Sequence, residues 1–166
     1  MNPSRPTQRG ARRFGAFART RFCPGGVRLS APAPGTYAGV YGNVIRGNVA
    51  VGNGLAGVTI HQHLVGDLNG NVVENNVLID NNVDGDFDFA AAADSQTTGV
   101  LVASGVPPGP ALPPFLVPGP IKGTVISGNV IFGESTGIWT LGVDPATTTI
   151  SGNVFGAGVV TQVSTN

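Results

Sequence analysis

Val44-Ile45-Arg46-Gly47-Asn48, Val72-Val73-Glu74-Asn75-Asn76, Val125-Ile126-Ser127-Gly128-Asn129 and Thr149-Ile150-Ser151-Gly152-Asn153 are four versions of one phrase. Each sets two β-branched residues before a polar one, then a turn former and an asparagine. Their final asparagines stand 28, 53 and 24 residues apart, so the middle interval is about two periods long. Internal periods of this size mark stacked repeats. A second phrase, Gly followed by β-branched residues, recurs as Gly57-Val58-Thr59-Ile60, Gly99-Val100-Leu101-Val102 and Gly137-Ile138-Trp139-Thr140. From Asn to the following Gly the distances are 9, 23 and 8, and from Gly to the next Asn they are 19, 30 and 16. The second coil therefore carries two insertions, one near residues 83–96 and one in the Pro-rich segment 106–120.

Eleven of the thirteen asparagines lie between Asn43 and Asn82 or are Asn129 and Asn153. A coil cannot bury its own valines and isoleucines, whereas stacked coils enclose a continuous apolar column. Neighbouring strands lie about 4.8 Å apart, so an Asn at one turn can pass its amide hydrogen bonds to the same turn of the next coil. Asn also tolerates the left-handed backbone that tight turns need, and Gly tolerates it better.

Composition agrees with many short strands: 26 Gly and 13 Pro against 11% charged residues. The apolar residues are mostly Val and Ile in runs of two to four, far short of the roughly 18 that a membrane-spanning helix requires. The formal net charge of zero is divided, since residues 1–28 hold seven Arg and no acid, while residues 29–166 hold Arg46, Lys122 and nine acids. Residues 1–35 read as a disordered basic tail and 36–166 as the repeat domain. Arg is interleaved with Phe14, Phe17 and Phe22 in the tail, but disorder is favoured over a nucleic-acid-binding role. Cys23 is the only cysteine, so no intramolecular disulfide forms. Arg12-Arg13 is not followed by the apolar stretch of an export signal.

The Gly-Asn-Val-Ile turns and the Gly-Ile segments over about residues 36–165 resemble the right-handed parallel β-helix proteins of the pectin-lyase-like superfamily. The resemblance implies an all-β, right-handed parallel β-helix of about four coils. It also implies a secreted or cell-surface location and a polysaccharide or cell-surface glycan as partner, either for a noncatalytic structural or binding module or for a polysaccharide lyase or glycoside hydrolase. Four coils are few for that family, and no capping helix precedes them, so the chain reads as a fragment. Ala33-Pro34-Gly35-Thr36-Tyr37 reads as the remnant of an earlier coil.

Chemistry-bearing residues are sparse. In Asp80-Asn81-Asn82-Val83-Asp84-Gly85-Asp86-Phe87-Asp88, Asp80, Asn82, Asp84, Asp86 and Asp88 alternate as oxygen ligands, with Gly sixth, as in the first half of an EF-type calcium loop. Position twelve is Ala91 rather than Glu, so a solvated acidic loop is the competing reading. Asp84, Asp86 and Asp88 are also the carboxylates to test first for catalysis. His61 and His63 share one strand face and are candidate ligand-binding residues, for a metal or for sugar hydroxyls. Trp139 aligns with Thr59 and Leu101 on the outward face, where a ring either stacks on a sugar or lies under a loop. The Pro-rich insertion, with Leu112, Phe115 and Leu116, is apolar enough to favour the covered ring.

Overall fold

The computed structural model describes residues 27–30, 39–62, 64–81, 98–105, 111, 113–114 and 117–165, and these contain strands and turns but no α-helix. Thirteen strands form three sheets. The first sheet holds β1 (Val27–Ser30), β4 (Val58–Gln62), β7 (Thr98–Ser104), β10 (Thr136–Leu141) and β13 (Thr161–Thr165). The second holds β2 (Val44–Arg46), β5 (Val72–Glu74), β8 (Val125–Ser127) and β11 (Thr149–Ser151), and the third holds β3 (Val49–Val51), β6 (Val77–Ile79), β9 (Val130–Phe132) and β12 (Val154–Phe155). Every pairing is parallel. The chain visits the second, third and first sheets in that order four times, which is a parallel β-helix of four coils. β1 adds a first-sheet strand from a preceding turn, within the stretch read from sequence as a basic tail.

The register coincides with the sequence frame. Ile45 lies beside Val73, Val73 beside Ile126, and Ile126 beside Ile150. Val58, Val100 and Ile138 are likewise neighbours on successive strands of the first sheet. The two insertions consequently leave the strand columns undisturbed.

Alternation explains which side chains enter the core. Each three-residue strand points its central residue inward, so Ile45, Val73 and Ile126 form one buried column and Ala50, Leu78 and Ile131 another. Val58, Ile60, Val100, Val102 and Ile138 close the third wall. Complete burial of such a side chain contributes about 1.5–3 kcal/mol. The corners between strands turn sharply because one residue has a positive φ: Gly47, Asn75, Gly128 and Gly152 hold it between the second and third sheets. At the third sheet's far end Gly52, Asp80 and Gly133 do the same. Glycine meets this requirement without a Cβ clash, and Asn and Asp are the side chains that best tolerate it.

The three sheets differ in their outer faces. β4 and β7 are buried along their whole length, on both sides. The outer faces of the second and third sheets are open, and Val49, Val51 and Val154 are 47%, 51% and 55% exposed.

Candidate functional site

Each positive-φ corner residue is followed by a side chain that turns into the solenoid. At the corner between the second and third sheets these are Asn48, Asn76, Asn129 and Asn153. Asn76 Oδ1 accepts from the Asn48 backbone N–H and from Asn48 Nδ2, both at 3.0 Å. Asn76 Nδ2 donates back to the Ile45 carbonyl at 3.0 Å and forward to Asn129 Oδ1 at 2.9 Å. Asn129 repeats the pattern with Val73 O and Asn153 Oδ1. All hydrogen-bonding capacity of a buried amide is thus used, and such chains of bonds polarise one another. The asparagines do stack along one edge.

Two further ladders flank this one, five residues before and after it. Asn43 and Asn71 form the first, and Thr124 takes the next place. Asn53 and Asn81 begin the other, with Asn53 Nδ2 donating to Asn81 Oδ1 at 2.6 Å. The following position is Glu134, whose side chain is fully buried. Its Oε1 accepts from the Asn81 backbone N–H at 2.9 Å and from Asn81 Nδ2 at 2.8 Å, the two bonds that an asparagine oxygen would accept. Its Oε2 is buried with no hydrogen-bond partner among the described residues. Burial raises the Glu134 carboxyl above its ordinary value; the Asn81 hydrogen bonds oppose the rise and the nearby Asp80 charge adds to it. The reading of the sequence missed this residue because it followed one asparagine column. The same 28- and 53-residue steps from Asn53 lead to Asn81 and then to Glu134, behind Gly133.

The structure brings two of the sequence candidates to the outward face of the first sheet. His61, on β4, is 3% exposed and Trp139, on β10, is 7% exposed. Trp139 stands beside Leu101, which stands beside Thr59. It packs in a second apolar cluster with Ala56, Leu101 and Ala103, against which Leu141 also lies. The ring is covered. His63 lies outside the described residues.

Asp80 occupies the exposed corner after β6, adopting a φ of 47°. Asn82, Asp84, Asp86 and Asp88 lie outside the described residues, as do Leu112, Phe115 and Leu116. Among the described residues no group of three or more His, Cys, Asp or Glu side chains comes together. Arg46 is ion-paired with Glu74 of the next coil. Lys122 is exposed, and its backbone N–H donates to Asn69 Oδ1.

Among the described residues, the outer faces of the second and third sheets carry lateral rows of apolar side chains. Val49, Val77, Val130 and Val154 are in one lateral row, and Val51, Ile79 and Phe132 are in another. Val44, Val72 and Val125 continue it on the second sheet. No helix in the described residues is long and apolar enough to cross a membrane. Comparison with protein-family models, curated proteins and solved structures gives no match to this chain.

Proposed function

We propose that the chain is a structural or carbohydrate-binding β-helix module of an extracellular protein, built as part of a longer solenoid of the pectin-lyase-like kind. The observation that carries this reading is the open wall of the second and third sheets. Its rows of Val, Ile and Phe repeat at the strand spacing, and the asparagine ladder ties the successive coils together along the corner between the two sheets. A rigid, repetitive, largely uncharged surface suits a ligand that is itself extended and repetitive, such as a polysaccharide lying across the coils. Sugar rings present apolar C–H faces that such rows can contact, while Ser127, Ser151 and Thr149 offer hydroxyls beside them.

The test is retention of the chain on a panel of immobilised neutral and acidic polysaccharides, with the soluble fraction assayed for newly formed chain ends. The reading expects retention by at least one polysaccharide, weakened by Val51→Asp, and no chain cleavage. Failure to bind any of them would remove the carbohydrate-binding half of the proposal. New chain ends would replace it with a lyase or hydrolase, and Asp84, Asp86 and Asp88 would then be the first residues to substitute.

A further inference from the structure

Each ladder asparagine that follows an asparagine of the coil before it uses its Nδ2 in the same way toward that coil. Asn76 donates to Ile45, Asn129 to Val73, Asn153 to Ile126, Asn81 to Ala50 and Asn71 to Val40. In each case the acceptor is the carbonyl three residues before the preceding ladder position. At Glu134 that rule designates Leu78, because the preceding position is Asn81. Glu134 Oε1 already holds the place of an asparagine oxygen, and by the same rule Oε2 takes the place of the amide nitrogen, toward that oxygen acceptor. A carboxylate there sets two acceptors against each other, whereas a carboxylic acid supplies the missing donor. We propose that Glu134 is a protonated ladder position, its Oε2–H donated to the main-chain oxygen of Leu78, and that the joint between the second and third coils loosens when this proton is lost.

The surroundings favour the neutral form. Among the described residues Asp80, at the corner of the preceding coil, is the charged group that acts on Glu134. The adjoining corner residues Gly133 and Ser135, with Ala157 and Gly158 of the next coil, are uncharged. The direction of the pH effect follows from linkage. A carboxyl raised above its ordinary value binds more protons in the folded than in the unfolded state. Its stabilising contribution is therefore complete below the unfolded value of about 4.3 and declines as pH rises toward the folded value.

Two measurements on the intact chain decide the matter. The first is the melting temperature of wild type and Glu134→Gln from about pH 4 to about pH 9. Gln supplies the N–H donor without titrating, so the difference in melting temperature is expected to move in favour of Glu134→Gln as pH rises. A difference that stays constant overturns the proposal. The second uses the fact that Glu74 and Glu134 are the only glutamates. Labelling glutamate Cδ with carbon-13 gives two carboxyl signals, and Glu134→Gln identifies the one that disappears. At neutral pH the Glu134 signal is expected at the position of a protonated carboxyl. A signal at the ionised position overturns the proposal, including the case in which a cation occupies Oε2, and this measurement on wild type holds even if the variant does not fold.

Discussion

Replacing Asn76 by Ala removes one of the two best-connected side chains of the central ladder. Its amide accepts two hydrogen bonds from Asn48 and donates one each to Ile45 O and Asn129 Oδ1, all between 2.9 and 3.0 Å and all buried. With a net value of about 0.5–1.5 kcal/mol per bond, the expected loss is about 4 kcal/mol. The Asn48 backbone N–H would also lose its acceptor inside the wall. Since small domains have only about 5–15 kcal/mol of stability, this is a large share. In urea, with a slope of about 2 kcal/mol/M, the midpoint would fall by about 2 M. Asn153, in the fourth coil, makes three such bonds in a half-buried setting. Asn153→Ala should therefore cost about half as much. Unfolding is followed by circular dichroism and by the fluorescence of Trp139, which reports on the third coil. A midpoint shift below about 0.5 M for Asn76→Ala, or a larger shift for Asn153→Ala, would refute the assignment of structural weight to the ladder.

Gly99→Ala would place a Cβ 2.7 Å from Ile131 Cγ2 and 2.8 Å from the Gly137 carbonyl, and overpacking of this kind should cost about 1–3 kcal/mol in chemical denaturation. Gly105→Ala, whose Cβ meets nothing within 4 Å, should change stability by less than about 1 kcal/mol in the same experiment. Arg46→Ala breaks an ion pair whose arginine is 61% exposed, so thermal melting should reveal a loss of no more than about 1 kcal/mol, smaller still in high salt. Trp139→Ala should cost about 3–5 kcal/mol, and in the wild type the indole emission should be poorly quenched by acrylamide, because the ring is covered.

The frame of the solenoid was legible because two constraints repeat with it. Positive-φ corners demand Gly or Asn, and the buried amide behind each corner needs an identical partner one coil away. That is why Asn48, Asn76, Asn129 and Asn153 align in the sequence alone, and why Thr59, Leu101 and Trp139 fall in one row. The five-residue step linking Asn43, Asn48 and Asn53 carried the same information about the two flanking ladders, but a longer period dominated the reading. Glu134 was hidden because its residue type breaks the pattern while its position keeps it. β1 was hidden by composition, since Val27-Arg28-Leu29-Ser30 is short and follows an arginine-rich stretch, and pairing with β4 rather than intrinsic propensity places it in the sheet. The burial of His61 was equally unreadable from the strand itself. Alternation fixes which face a residue takes, not whether that face is covered.

The most direct test of in-register stacking is a set of nuclear Overhauser contacts among the side-chain amides of Asn48, Asn76, Asn129 and Asn153 in the folded chain. Parallel coils predict contacts from 48 to 76, from 76 to 129 and from 129 to 153, with amide protons slow to exchange with solvent. Contacts that skip or shuffle these neighbours, or amides that exchange as freely as those of an unfolded peptide, would contradict the stacked solenoid.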